Sequence, residues 1–120
     1  MKSPVFILLL LTLVSCKKEA KPKESLYPKT AEEFGKELFE NQGNCVACHQ
    51  PDQKVIGPSI REIAKIYKAK NASIATFLKG NAEPIVDPSQ FEVMKTNFAI
   101  TKAMTDEELQ AIEAYMYSLH

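Results

Sequence analysis

Cys45-Val46-Ala47-Cys48-His49 is the stretch on which the reading of this chain turns. Two thiols three residues apart on one helical turn can bond to the two vinyl groups of a single porphyrin. The histidine that follows then lies beneath the ring, where its imidazole can ligate iron. The pattern therefore implies one covalently attached haem c, with Cys45 and Cys48 as its thioether anchors and His49 as the proximal iron ligand. With cysteine and histidine each at roughly 2% of residues, a chance match in a chain of this length is on the order of one in a thousand. Other uses of these residues fit less well. A zinc site needs four nitrogen or sulfur ligands, and Cys45, Cys48 and His120 leave one short. A thioredoxin-type pair needs a βαβ setting, and no strand run is found. A disulfide between Cys45 and Cys48 would leave His49 unexplained.

Working outward, the flanking sequence reads as helices. Thr30-Ala31-Glu32-Glu33 has the form of a capping box, followed by an apolar stripe of Phe34, Leu38 and Phe39 that runs to Glu40. Gly43 is expected to end that helix before the cysteines. After the motif, Gly57-Pro58 opens a turn, and Ile60, Ile63, Ala64 and Tyr67 follow at helical spacing. A third, short helix is predicted over Ala72 to Lys79, with Ile74, Phe77 and Leu78 inward and Gly80 as its stop. Gly80 to Ala103 reads as a long irregular segment. Thr105 then caps a last helix, with Glu108 completing a second capping box and Leu109, Ile112, Tyr115, Met116 and Leu119 on the buried side. Met104, just before the cap, is placed to staple onto Leu109. The expected fold class is all-α, with four helices and no sheet.

In this order, the Gly35/Phe39 helix, the Cys-x-x-Cys-His motif, Gly57-Pro58, a methionine loop and the Thr-Asp-Glu-Glu-Leu helix resemble the small monohaem class I c-type cytochromes over residues 30–120. The resemblance implies four short helices wrapped around one haem, with the first and last helices crossing at Gly35 against Tyr115. It also implies that the Pro58 carbonyl accepts a hydrogen bond from His49, fixing the ring that holds iron. Of the methionines beyond the motif, Met116 is read as packing by its helical spacing. Met104 is read as the staple, and stands second to Met94 as a sixth ligand. Met94 lies in the irregular segment that could drape over the distal face, and is the expected sixth ligand. Lys95-Thr96-Asn97 follow it where many relatives have proline. His120, the last residue, is read as an exposed imidazole.

The other end of the sequence is a separate problem. Lys2 and a ten-residue apolar run, Val5 to Val14, have the length of a signal-peptide core and are too short to span a bilayer. Leu13-Val14-Ser15-Cys16 resembles the lipobox of bacterial lipoprotein precursors, which implies cleavage after residue 15 and lipidation of Cys16. Residues 16–29 read as a charged tether, and 30–120 as the single domain that 120 residues allow. The whole chain balances 15 basic against 15 acidic groups, which argues against nucleic acid as a partner. Residues 28–120 alone hold ten basic and thirteen acidic groups, a mild excess of negative charge.

With His49 and Met94 both on iron, no coordination position would remain open and no catalytic residue is expected. The implied role is a membrane-tethered, periplasmic, monomeric carrier of one electron between respiratory partners. Its acidity suggests docking partners with basic residues near their redox centre, and no large apolar patch is expected. The alternatives are a haem enzyme or gas sensor with a labile sixth ligand, and an accessory haem subunit of a larger reductase or oxidase. So small a domain is expected to fold poorly without its haem.

Overall fold

A computed structural model of the protein describes residues 29–120. The expected leader, the cleavage before Cys16, its lipidation and nearly all of the tether lie outside the described residues. Among the described residues no helix is long and apolar enough to cross a membrane.

The fold is all-α, with six helices among the described residues where the sequence predicts four: α1 (Ala31–Glu40), α2 (Ile60–Ala69), α3 (Ile74–Leu78), α4 (Phe91–Lys95), α5 (Phe98–Thr101) and α6 (Asp106–Ser118). Single 3₁₀ turns occupy Cys45–Ala47 and Pro88–Gln90. Both expected capping boxes form. Thr30 with Glu33 starts α1 and Thr105 with Glu108 starts α6, each satisfying backbone N–H groups that the first turn leaves open. Met104 and Leu109, the pair placed to staple the start of α6, are each only 1% exposed.

The scaffold is the crossing of α1 on α6. A Cβ built on Gly35 would fall 1.8 Å from the Ala111 carbonyl oxygen, so only glycine lets the two backbones approach this closely. The expectation that Gly35 meets Tyr115 is thus off by one helical turn. Phe39, one turn after Gly35, takes Tyr115 instead, with ring centroids 5.4 Å apart in an edge-to-face pair. α6 also anchors α3, because the Glu113 carboxylate accepts from the Ser73 hydroxyl (2.9 Å) and the Ala75 N–H (2.7 Å). α2 buries Ile60, Ile63, Ala64 and Tyr67, the four residues its periodicity names.

The segment from Gly80 to Ala103 is not irregular, as expected, but holds α4 and α5. Neither has a side-chain cap and each is about one turn long, so local sequence gives no helix signal there. Tertiary packing holds them: Phe98 sits 5.4 Å from Phe77 and 6.0 Å from Phe91 between ring centroids, and Phe77 continues to Tyr67 at 6.4 Å. The fully buried Thr101 hydroxyl donates to the Leu78 carbonyl at 2.7 Å and ties α5 to α3.

Candidate functional site

α1 ends at Asn41, and Asn44 turns the chain through a left-handed conformation (φ 50°) into the 3₁₀ turn at Cys45–Ala47. Asparagine tolerates that region better than most residues. The Cys48 and His49 N–H groups both donate to the Cys45 carbonyl, at 3.1 and 3.0 Å, so both thiols and the imidazole come off one tight turn. Cys45 is buried and Cys48 half-buried, and neither is in a disulfide. Burial pushes the Cys45 thiol up to about 11, so it is a neutral thiol at ordinary pH. It points at the Gly43 carbonyl at 3.5 Å.

His49 is held as the resemblance implies. Its Nδ1 lies 2.8 Å from the Pro58 carbonyl oxygen, which can only accept. Nδ1 therefore carries the proton, and Nε2 keeps its lone pair for a metal. The loop that brings Pro58 back is fastened by main chain, with Gly57 N–H donating to the Cys48 carbonyl (2.9 Å) and Ile60 N–H to the Gln50 carbonyl (2.9 Å). A Cβ on Gly57 would stand 2.5 Å from His49 Cε1, so the imidazole lies flat against a backbone that must be glycine.

His49, Cys45 and Cys48 line a largely apolar cleft of about 250 Å³. Ile63, Tyr67, Ile74, Phe91, Met94 and Asn97 line it as well. Burial raises the Tyr67 phenol to about 12, which keeps it neutral. Met116 also borders the cleft, as a core residue 5% exposed. Met104 does not border it and packs in the core near Gly43. His120 is exposed at the end of the chain.

Three contacts that the sequence did not single out, or left open, shape the Met94 side. Lys54 pairs with Asp87 at 3.1 Å, joining the loop after the motif to the approach to α4. The Ser89 hydroxyl and Lys54 together hold the Asp87 carboxyl below its ordinary range. Asn97, whose partner the sequence leaves open, donates from Nδ2 to the Gly43 carbonyl at 3.0 Å. These bonds join residues 33 and 54 positions apart, and no local pattern announces them. Ile56 and Val93, which line the cleft, are 53% and 52% exposed, and Val55, next to Ile56 in the chain, is exposed too.

Two thiols, an imidazole with Nδ1 already committed, a thioether sulfur and an apolar wall are the donor set that a covalently held haem requires, and the residues present fit it. Comparison with known proteins points the same way. The sequence model of the family described as cytochrome c matches residues 32–120. The chain is 39% identical to cytochrome c-551 of Pseudomonas denitrificans over 61 residues, covering 45% of this chain and 73% of that protein. It is 30% identical to cytochrome c-551 of Pseudomonas aeruginosa over 84 residues, covering 68% and 72%. A shorter match, 46% over 39 residues, is to cytochrome c-552 of Nitrosomonas europaea and covers 32% of this chain and 37% of that one.

Proposed function

The chain belongs to the cytochrome c family and so carries covalently attached haem c; from that premise we propose that it is a one-electron carrier whose iron is held by His49 and Met94. Bound through thioethers to Cys45 and Cys48, haem c supplies an iron that gains and loses one electron. The observation that carries the reading is the 2.8 Å bond from His49 Nδ1 to the Pro58 carbonyl, in a cleft that Met94 also lines.

Each residue then has a defined task. Cys45 and Cys48 fix the position of the group. The Pro58 carbonyl orients His49 and strengthens Nε2 as a donor, while Gly57 leaves room for the ring. Met94 would supply its thioether sulfur to the iron, which would favour the reduced state relative to a second imidazole. Ile63, Ile74 and Phe91 exclude water, which disfavours the extra charge of the oxidised state. With His49 and Met94 both holding the iron, no position on it would be left for a substrate, which favours electron transfer over a haem enzyme, a gas sensor or an accessory subunit.

The same reading places the protein on the periplasmic side of a bacterial membrane, tethered through a lipidated Cys16. Respiratory proteins with basic docking surfaces are its proposed redox partners, since residues 28–120 carry three more acidic than basic groups. The test is a reduced-minus-oxidised absorption spectrum with carbon monoxide added to the reduced protein. An unchanged spectrum in the wild type and a shifted one in Met94→Ala are expected. Carbon monoxide binding at once to the wild type would instead select the enzyme or sensor role.

A further inference from the structure

Glu113, on α6, takes two bonds on a single carboxylate oxygen. Its Oε2 accepts from the Ser73 hydroxyl at 2.9 Å and from the Ala75 N–H at 2.7 Å. The Ser73 Oγ in turn accepts from the Thr76 N–H at 3.1 Å, so the two side chains together hold the first turn of α3. A five-residue helix has little cohesion of its own, and α3 is what brings Ile74, Phe77 and Leu78 to the cleft. Ile112 and Met116, before and after Glu113 on α6, line the cleft as well.

The charge of Glu113 is what sets it apart. Among the described residues it belongs to no ion pair, although it is half-buried. Asp87, an acid that lines the cleft itself, is answered by Lys54 at 3.1 Å. Lys68 lies instead over the Tyr117 ring, 5.4 Å from its centroid. Two phenols feel the uncancelled charge. Burial does most to raise both Tyr67 and Tyr117, and Glu113 raises each further, after Tyr117 in the case of Tyr67. Tyr67 lines the cleft, so the field of this carboxylate reaches the cleft wall.

We propose that Glu113 sets the reduction potential: its uncompensated carboxylate, outside the cleft lining, favours the oxidised state of the bound iron, while its hydrogen bonds position α3. The proposal rests on the reading of the protein as a one-electron carrier. A nearby negative charge attracts the extra positive charge of the oxidised state, and a low-dielectric wall between them weakens this less than water would. Because both bonds end on one oxygen, charge and hydrogen bonding can be separated. Glu113→Gln can keep both bonds through its amide oxygen and lose only the charge. Ser73→Ala loses a bond and keeps the charge.

The experiment is a redox titration of the haem-loaded protein against a small redox couple, followed by absorbance, with thermal unfolding measured on the same samples. Glu113→Gln should shift the equilibrium toward the reduced protein by about fivefold, the scale of one charge removed at an effective dielectric of about 20. Its melting should stay close to that of the wild type. Ser73→Ala should melt lower and keep the wild-type equilibrium. Glu107→Gln, which removes an exposed charge from the first turn of the same helix, should barely move the equilibrium. The proposal is overturned if Glu113→Gln titrates as the wild type does, or if Ser73→Ala or Glu107→Gln shifts the equilibrium as far. A wild type with no reversible one-electron step would overturn the carrier reading and, with it, the role given to Glu113.

Discussion

From Cys45 to Arg61, on the His49 side of the cleft, the chain is joined to itself chiefly by main-chain bonds: Cys48 and His49 to Cys45, Gly57 to Cys48, Ile60 to Gln50 and Arg61 to Pro51. Residues 80–103 on the Met94 side are joined to the rest of the molecule largely by side chains, through Lys54–Asp87, Asn97–Gly43, Thr101–Leu78 and the Phe77/Phe91/Phe98 cluster. A donor set by main chain keeps its orientation whatever its neighbours are. A donor set by side chains can be loosened one residue at a time. The comparison teaches that the chain around His49 and the chain around Met94 differ in how readily mutation can loosen them.

The strongest way to break this contrast is to remove what both sides grip. Cys45→Ala/Cys48→Ala, produced without haem, should show no cooperative thermal transition by circular dichroism. A sharp transition would mean that the helices suffice alone. Next comes the scaffold beneath both sides. Gly35→Val drives a side chain into the Ala111 carbonyl, and should cost about 3 kcal/mol in denaturant titration while loosening the two sides alike. Gly57→Ala sharpens the contrast, because its methyl meets the His49 ring. A loss of about 2 kcal/mol is expected, together with a displaced Nδ1 proton resonance and no change around Met94. The smallest effect is confined to high pH. Burial holds the Tyr67 phenol neutral up to about 12 against an ordinary 10, so between those values the unfolded chain loses a proton that the folded one keeps. Stability should therefore fall as pH rises through this window, and Tyr67→Phe should flatten that slope in denaturant midpoints.

The same division explains what could be read without coordinates. Capping boxes and apolar stripes are local, so Thr30/Glu33, Thr105/Glu108 and the inward face of α2 were legible from residue order. The motif at 45–49 was legible because adjacent residues spell it out, and its Pro58 partner because the family resemblance implies it. α4 and α5 were not, since aromatic rings from three separate stretches hold them and they lack side-chain caps of their own. The resemblance gives the crossing of α1 and α6 but not its register in this chain, and pairing Gly35 with Tyr115 sets it one turn too far along. The reach of Glu113 to α3, Lys54 to Asp87 and Asn97 to Gly43 spans too much chain for any periodicity to report.

The clasp at Gly35 and Ala111 has a consequence for how the polypeptide is made. Some 75 residues are synthesised between the two halves of that crossing, and both cysteines emerge well before its second half exists. While the chain is still being extended, α1 has nothing to close against, so the thiols of Cys45 and Cys48 stay accessible to whatever ligates them. Since the haem-free chain is expected to fold poorly even when complete, closure of α1 on α6 is expected to follow covalent attachment, with both thiols accessible until then.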